Sequence, residues 1–299
     1  MKHNLKITII LFAMFIVTQL IGIYVVKYYL NENNKIPYGM ETPDIEEEIG
    51  FYKILPSIIF AFIIAISLVF ILTKFNVAFI LKLWFFIVVI IALGISFNSF
   101  MPELKYSSLI ALLLALPLSY IKIYRRDFLV HNFTELLIYP GIASVFVPIF
   151  SFWTIIILLV IISVYDVWAV WYSGIMQKMA KYQINQLKIF SGFFVPYVSK
   201  KVRMQINKMK KTMSKSELKN KKIKVHIAVL GGGDVVFPII TAGVLLKTSG
   251  LMPALFVIGG ASLGLLYLFF FAEKKKFYPA MPFITSGIFA GIILSYLIL

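Results

Sequence analysis

Two aspartates stand in stretches of chain that otherwise read as membrane helices. Asp166 lies in Ser163-Val164-Tyr165-Asp166-Val167, and Asp234 closes the run Leu230-Gly231-Gly232-Gly233-Asp234. A carboxylate at membrane depth costs roughly 2.5–3.5 kcal/mol on insertion scales. Glycines inside a helix add about 1 kcal/mol each relative to alanine. A chain that keeps both features gains something from them, because glycine lets a second backbone lie close beside Asp234. Two carboxyls at similar depth in a low dielectric do not readily both ionise, so such a pair shares a proton. One acid can then take a proton from water while the other donates to a carbonyl, which is the chemistry of peptide hydrolysis. The same pair would equally suit the carriage of protons or a cation across a membrane. In a third reading each acid is simply bonded to a neighbouring polar group.

The elements that must position these acids are membrane spans. Of 299 residues, 61% are hydrophobic, 16% aromatic and only 14% charged, with a mean hydropathy of +0.92. Soluble domains are about 45–50% apolar. The absence of cysteine excludes disulfides, thiolate nucleophiles and thiolate metal sites. His3, His131 and His226 lie far apart in sequence, which gives little support to a histidine metal site or a Ser–His–Asp triad. No metal or cofactor is expected. The net charge of +16 sits in loops between apolar runs. The positive-inside rule accounts for it, and nucleic-acid binding is not expected.

Runs of spanning length predict an all-α polytopic membrane protein with nine transmembrane helices. They fall near Leu5–Tyr29, Lys53–Thr73, Val77–Phe97, Tyr106–Ile123, Glu135–Phe150, Phe152–Tyr172, Val225–Leu246, Met252–Phe271 and Pro279–Leu299. Pro148 and Ser151 mark the turn between the fifth and sixth. The whole chain, 1–299, reads as one integral membrane domain. Residues 1–172 hold spans one to six, 173–224 form a basic cytoplasmic loop, and 225–299 hold spans seven to nine. That loop has fourteen Lys/Arg against one acid, Glu217, whereas Asn31–Tyr52 is acidic. Basic and non-basic loops alternate, which puts the N-terminus in the cytoplasm and the C-terminus outside the cell membrane. Lys222 to Val229 alternates with β-branched residues and predicts a short strand before the seventh helix. Asp166 then lies about six residues from the cytoplasmic end of span six, and Asp234 about nine residues into span seven. Glu135 and Glu273 fall at span ends. Trp153, Trp168 and Trp171 read as lipid-facing or interfacial anchors.

Tyr165-Asp166 and Gly231-Gly232-Gly233-Asp234 resemble the YD and GxGD motifs of the presenilin and signal peptide peptidase family, intramembrane aspartyl proteases with nine spans. Tyr278-Pro279-Ala280-Met281-Pro282, after the lysine-rich eighth loop, is similar to the family's Pro-Ala-Leu motif, with Met281 in place of leucine. The resemblance implies that Asp166 and Asp234 are the catalytic pair. Gly231 and Gly233 would admit the substrate, and Pro279, Ala280 and Met281 would shape the site, with Tyr165 beside Asp166. It implies membrane-protein substrates cleaved in or near their transmembrane segments. The inside N-terminus matches presenilins, and microbial presenilin homologues in particular. Two rivals remain. A prepilin or preflagellin peptidase also uses a GxGD-type motif, but with fewer spans and its second acid nearer the N-terminus. A proton-coupled transporter predicts internal repeats and a through-path; the sequence shows no convincing repeat and no intramembrane acid outside the pair.

Overall fold

A computed structural model describes residues 5–40, a few positions between 56 and 67, and 78–125, 127–174, 189–197, 226–272 and 278–299. Eight helices are described: α1 (Leu5–Tyr29), α2 (Ala78–Ser99), α3 (Ser107–Tyr120), α4 (Phe128–Phe146), α5 (Phe152–Val167), α6 (Gly232–Ser249), α7 (Leu251–Phe271) and α8 (Met281–Ile298). Two strands, β1 (Gly192–Tyr197) and β2 (His226–Gly231), join them. α3 and α5 each end in a π-helical turn, Ile121–Arg125 and Trp168–Tyr172. The fold is thus mostly helical rather than wholly so. Most of the Lys53–Thr73 run, and the basic stretch 198–225, lie outside the described residues.

Among the described residues, six helices are long and apolar enough to cross a membrane: α1, α2, α3 with its turn, α5 with its turn, α7 and α8. α4 and α6 are the exceptions, and the reason is where they sit. α6 packs against α1, α4, α5, α7, α8 and the sheet, so protein surrounds it. α4 carries His131, Asn132 and Glu135, all buried. Polar groups on these two helices meet protein partners rather than lipid. The three tryptophans expected at the lipid surface are exposed, Trp153 at 65%.

Local signals set the helix ends. Asp127 caps α4, its carboxylate accepting from Val130 N–H at 2.9 Å. Ser151 caps α5 at the expected turn, accepting from Thr154 N–H at 3.3 Å. Span five therefore begins at Phe128, not Glu135, and Glu135 lies two turns inside the helix at 1% exposure. Glu135 is therefore not at a span end as expected, because the Asp127 cap starts the helix two turns earlier. α7 and α8 pack backbone to backbone: a Cβ on Gly260 or Gly287 would strike the carbonyl of the other.

The predicted strand exists and runs two residues further than expected, to Gly231. β1 pairs with it antiparallel, from Gly192 opposite Gly231 to Tyr197 opposite His226. Sequence patterning had left β1 inside an undivided basic loop. Gly192 adopts φ +138°, and a Cβ there would collide with the Leu230 carbonyl, so this end of the sheet requires glycine.

Candidate active site

The glycine run lies at a junction, not inside a helix. Gly231 ends β2 and is the N-cap of α6, with φ −64° and ψ 149°; Gly232 and Gly233 make the first turn. N–H groups in that turn lack helical partners in any case, so these glycines cost less than they would in mid-helix. Asp234 is accordingly the third residue of α6, not the ninth of a longer span. From there its carboxylate reaches back to the Gly231 N–H, half of a capping box. A Cβ on Gly231 would lie 3.1 Å from Asp234 Oδ2.

Asp166 is treated in a parallel way by a different helix. It sits in the last turn of α5, 5% exposed. Its Oδ2 accepts the Met281 N–H at 3.0 Å, and the Ala280 N–H also points at the carboxylate. These are N-terminal amides of α8, and Pro282 beside them has no N–H. The positive end of a helix thus faces the acid. The contact uses the Met281 backbone, so methionine in place of leucine leaves it intact. Ser163, one turn before Asp166, donates to Thr285 Oγ1 at 2.8 Å and ties α5 to α8. Asp166 and Asp234 lie close enough for their charges to act on each other.

The fold therefore gathers the three motif segments: the end of α5, the β2–α6 junction and the start of α8. Pro279 and Met281 are buried and Ala280 is half-buried. Gly233 is exposed, and a Cβ there would meet only Phe237, at 3.9 Å. Tyr165 is turned outward at 46% exposure, its ring 6.1 Å from that of Trp168. Its neighbour in space is a lipid-facing tryptophan rather than Asp166. Pro238 lies within α6 one turn after Asp234, and the carbonyl of Val235, the residue next to Asp234, takes a hydrogen bond from Gln19 of α1 at 3.0 Å.

Sequence reading missed two features here. Gly232, the middle glycine, is the most tightly enclosed of the three: a Cβ would lie 2.7 Å from the Tyr139 hydroxyl and 2.9 Å from Ser191 Oγ. The polar stripe of α4 also escaped notice. Asn132 clamps β1, donating to the Phe194 carbonyl at 3.0 Å and accepting its N–H at 3.2 Å. His131 Nε2 meets the Gly192 carbonyl at 2.8 Å. Lys122 Nζ reaches Glu135 Oε1 at 2.5 Å. The signal was present: His131, Glu135 and Tyr139 recur every four residues in an apolar segment. No cluster of side chains suited to a metal occurs among the described residues.

Comparisons with known proteins give the family and the overall fold. A family model described as signal-peptide peptidase, presenilin aspartyl protease matches residues 12–299. A solved presenilin family intramembrane aspartate protease in space group C222 is similar in fold, with TM-score 0.62 and 16% identity. The match covers 98% of this chain and 99% of that one. A second structure, in space group P2, gives TM-score 0.61 and 17% identity over 97% of each chain. No curated protein matches the chain. The chain is a multi-pass integral membrane protein and belongs to the signal-peptide peptidase and presenilin family of intramembrane aspartic endopeptidases.

Proposed function

We propose that Asp166 and Asp234 are the catalytic dyad of this protease, cutting peptide bonds in or beside the transmembrane segments of membrane proteins. The observation that carries this reading is the convergence of two carboxylates, each met by helix N-terminal amides. Water attacks the scissile carbonyl carbon, losing its proton to the ionised acid, while the protonated acid donates to the carbonyl oxygen. Collapse of the tetrahedral diol breaks the C–N bond. The proton returned by the dyad leaves on the new amine.

The membrane arrangement that suits this chemistry has nine spans, with the N-terminus in the cytoplasm and the C-terminus outside. Eight helices and the helical positions at Pro56, Ser57, Phe60, Ala61, Ile64 and Ser67 favour that count. Reporter fusions at Asn34 and near Ser214 should fall on opposite sides of the membrane, and the same side for both would refute it.

A helical peptide bond is shielded by its own hydrogen bonds, so the substrate unwinds locally before attack. The extended segment then adds to β2. Asn132 occupies the outer edge of β1, which leaves the outer edge of β2, and β2 runs directly into Asp234. Gly233, open to its surroundings, and Pro279–Met281 flank the path. Proline at Val225 or Ile227 should slow cleavage without preventing insertion in at least one case. Normal rates in both variants would exclude strand addition.

The function itself is tested by incubating the purified, lipid-reconstituted protein with a generic transmembrane-helix peptide and analysing products by mass spectrometry. Internal cleavage with a bell-shaped pH–rate profile is expected, since activity needs one proton on the pair. An intact peptide across a range of such substrates, under conditions where the protein is folded, would refute it.

A further inference from the structure

We propose that Tyr139 is a positioning residue for Asp234, its hydroxyl linking that carboxyl to a buried Lys122–Glu135–His131 cluster. This inference rests on the reading of Asp234 as half of the dyad. Tyr139 follows Glu135 by one turn of α4, and Glu135 follows His131 by one more. The far end of the stripe is fully bonded. Lys122 Nζ donates to Glu135 Oε1 and approaches His131 Nδ1 at 3.2 Å. His131 Nε2 meets the Gly192 carbonyl. A neutral imidazole protonated on Nε2 satisfies both contacts, donating to the carbonyl and accepting from the ammonium. Lys122 and Glu135 then cancel in charge.

The near end is different. Glu135 Oε2 and the Tyr139 hydroxyl are both buried, and neither makes a hydrogen bond of ordinary geometry, although the hydroxyl has Glu135 and Ser191 in reach. Buried polar atoms are rarely left so, and each such case calls for an explanation. The hydroxyl has one proton to give; Glu135 on its own helix and Ser191 are its near polar neighbours, and the charge of Asp234 on α6 also acts on it. It lies against Gly232, two residues from Asp234, in space that any side chain at 232 would fill. The ring needs no hydroxyl to pack: it sits edge-on to Phe193 at 6.0 Å. Phenylalanine would fill the same space without the unpaired oxygen. A donor that reaches Asp234 from α4, beside the first turn of α6, holds the carboxyl in one orientation. It thereby biases which oxygen carries the shared proton.

The test uses the full-length protein in liposomes and the Tyr139→Phe variant, which keeps the ring. Cleavage of a transmembrane-helix peptide is followed as kcat, KM and pH profile, with Tm measured alongside. The groups that can titrate around the hydroxyl are Glu135 and His131 on α4, Lys122 after α3, Asp234 on α6 and Asp166 behind it on α5. Tyr139→Phe should lower kcat roughly tenfold, the effect of one hydrogen bond. KM and Tm should hold, and the pH profile should shift. An unchanged kcat and profile would overturn the proposal. So would a loss of kcat accompanied by a fall in Tm with the profile unmoved, since the hydroxyl would then be structural. Asp234→Asn serves as the control: if it still cleaves, the dyad reading has failed; if it is inactive while Tyr139→Phe matches the native protein, only the role of Tyr139 has failed.

Discussion

Glu135 and the aspartate pair are neighbouring buried carboxylate sites built on opposite plans. Glu135 receives a cation, Lys122, and both are almost wholly removed from solvent. Asp166 and Asp234 lie within reach of each other's charge, and among the described residues helix amides are what offsets it. Where the fold needs an acid to hold helices together, it neutralises that acid outright. The pair is left with competition for a proton, which costs stability and is useful for chemistry. On the proposed function, what separates the structural acid from the reactive ones is the partner rather than the depth.

That comparison predicts opposite responses to losing a charge. Lys122→Met leaves Glu135 buried and uncompensated, and should cost about 3–5 kcal/mol. Pairing it with Glu135→Leu should recover most of that loss. Asp166→Asn and Asp234→Asn should be neutral or mildly stabilising, since each removes a like-charge contact and keeps an acceptor for the helix amides. Unfolding in a detergent–denaturant titration would measure all of these, and a Lys122→Met variant as stable as the native protein would erase the distinction.

Smaller effects sharpen it. Gly232→Ala places a methyl against the Tyr139 hydroxyl and Ser191. Overpacking of this kind costs about 1–3 kcal/mol. Adding Tyr139→Phe should relieve part of it, and a double-mutant cycle would give the coupling. At the other end of the site, Ser163→Ala removes the bond to Thr285 and should cost about 1 kcal/mol. Activity should fall further than stability, as Asp166 depends on α8 staying in place. A loss confined to stability would show that the α5–α8 tie does not bear on the acid.

Much of this was legible in the sequence because the membrane imposes simple rules. Spanning lengths gave most helices, Ser151 gave the turn before α5, and alternation gave β2. The two aspartates stood out because lipid tolerates so few charges. What stayed hidden depended on contacts between distant segments. Asp234 looked deep in a span because Val225–Leu246 is continuously apolar, whereas pairing with β1 keeps its first part extended. β1 itself is six residues, GFFVPY, within a basic stretch, and nothing local distinguishes it from a loop. Glu135 looked terminal because hydropathy ends the span there. The Lys122 partner, thirteen residues earlier, lets the helix continue around it.

The central claim is that Asp166 and Asp234 act as one unit. The direct measurement is the yield of new peptide termini from a transmembrane-helix substrate with the native protein, Asp166→Asn, Asp234→Asn and the double variant. Each protein should be checked for folding and reconstituted at equal amounts. The account predicts internal cleavage by the native protein alone, with the double variant no worse than either single one, because members of a catalytic unit are not additive. Continued cleavage by either single variant, with contaminating protease excluded, would contradict it.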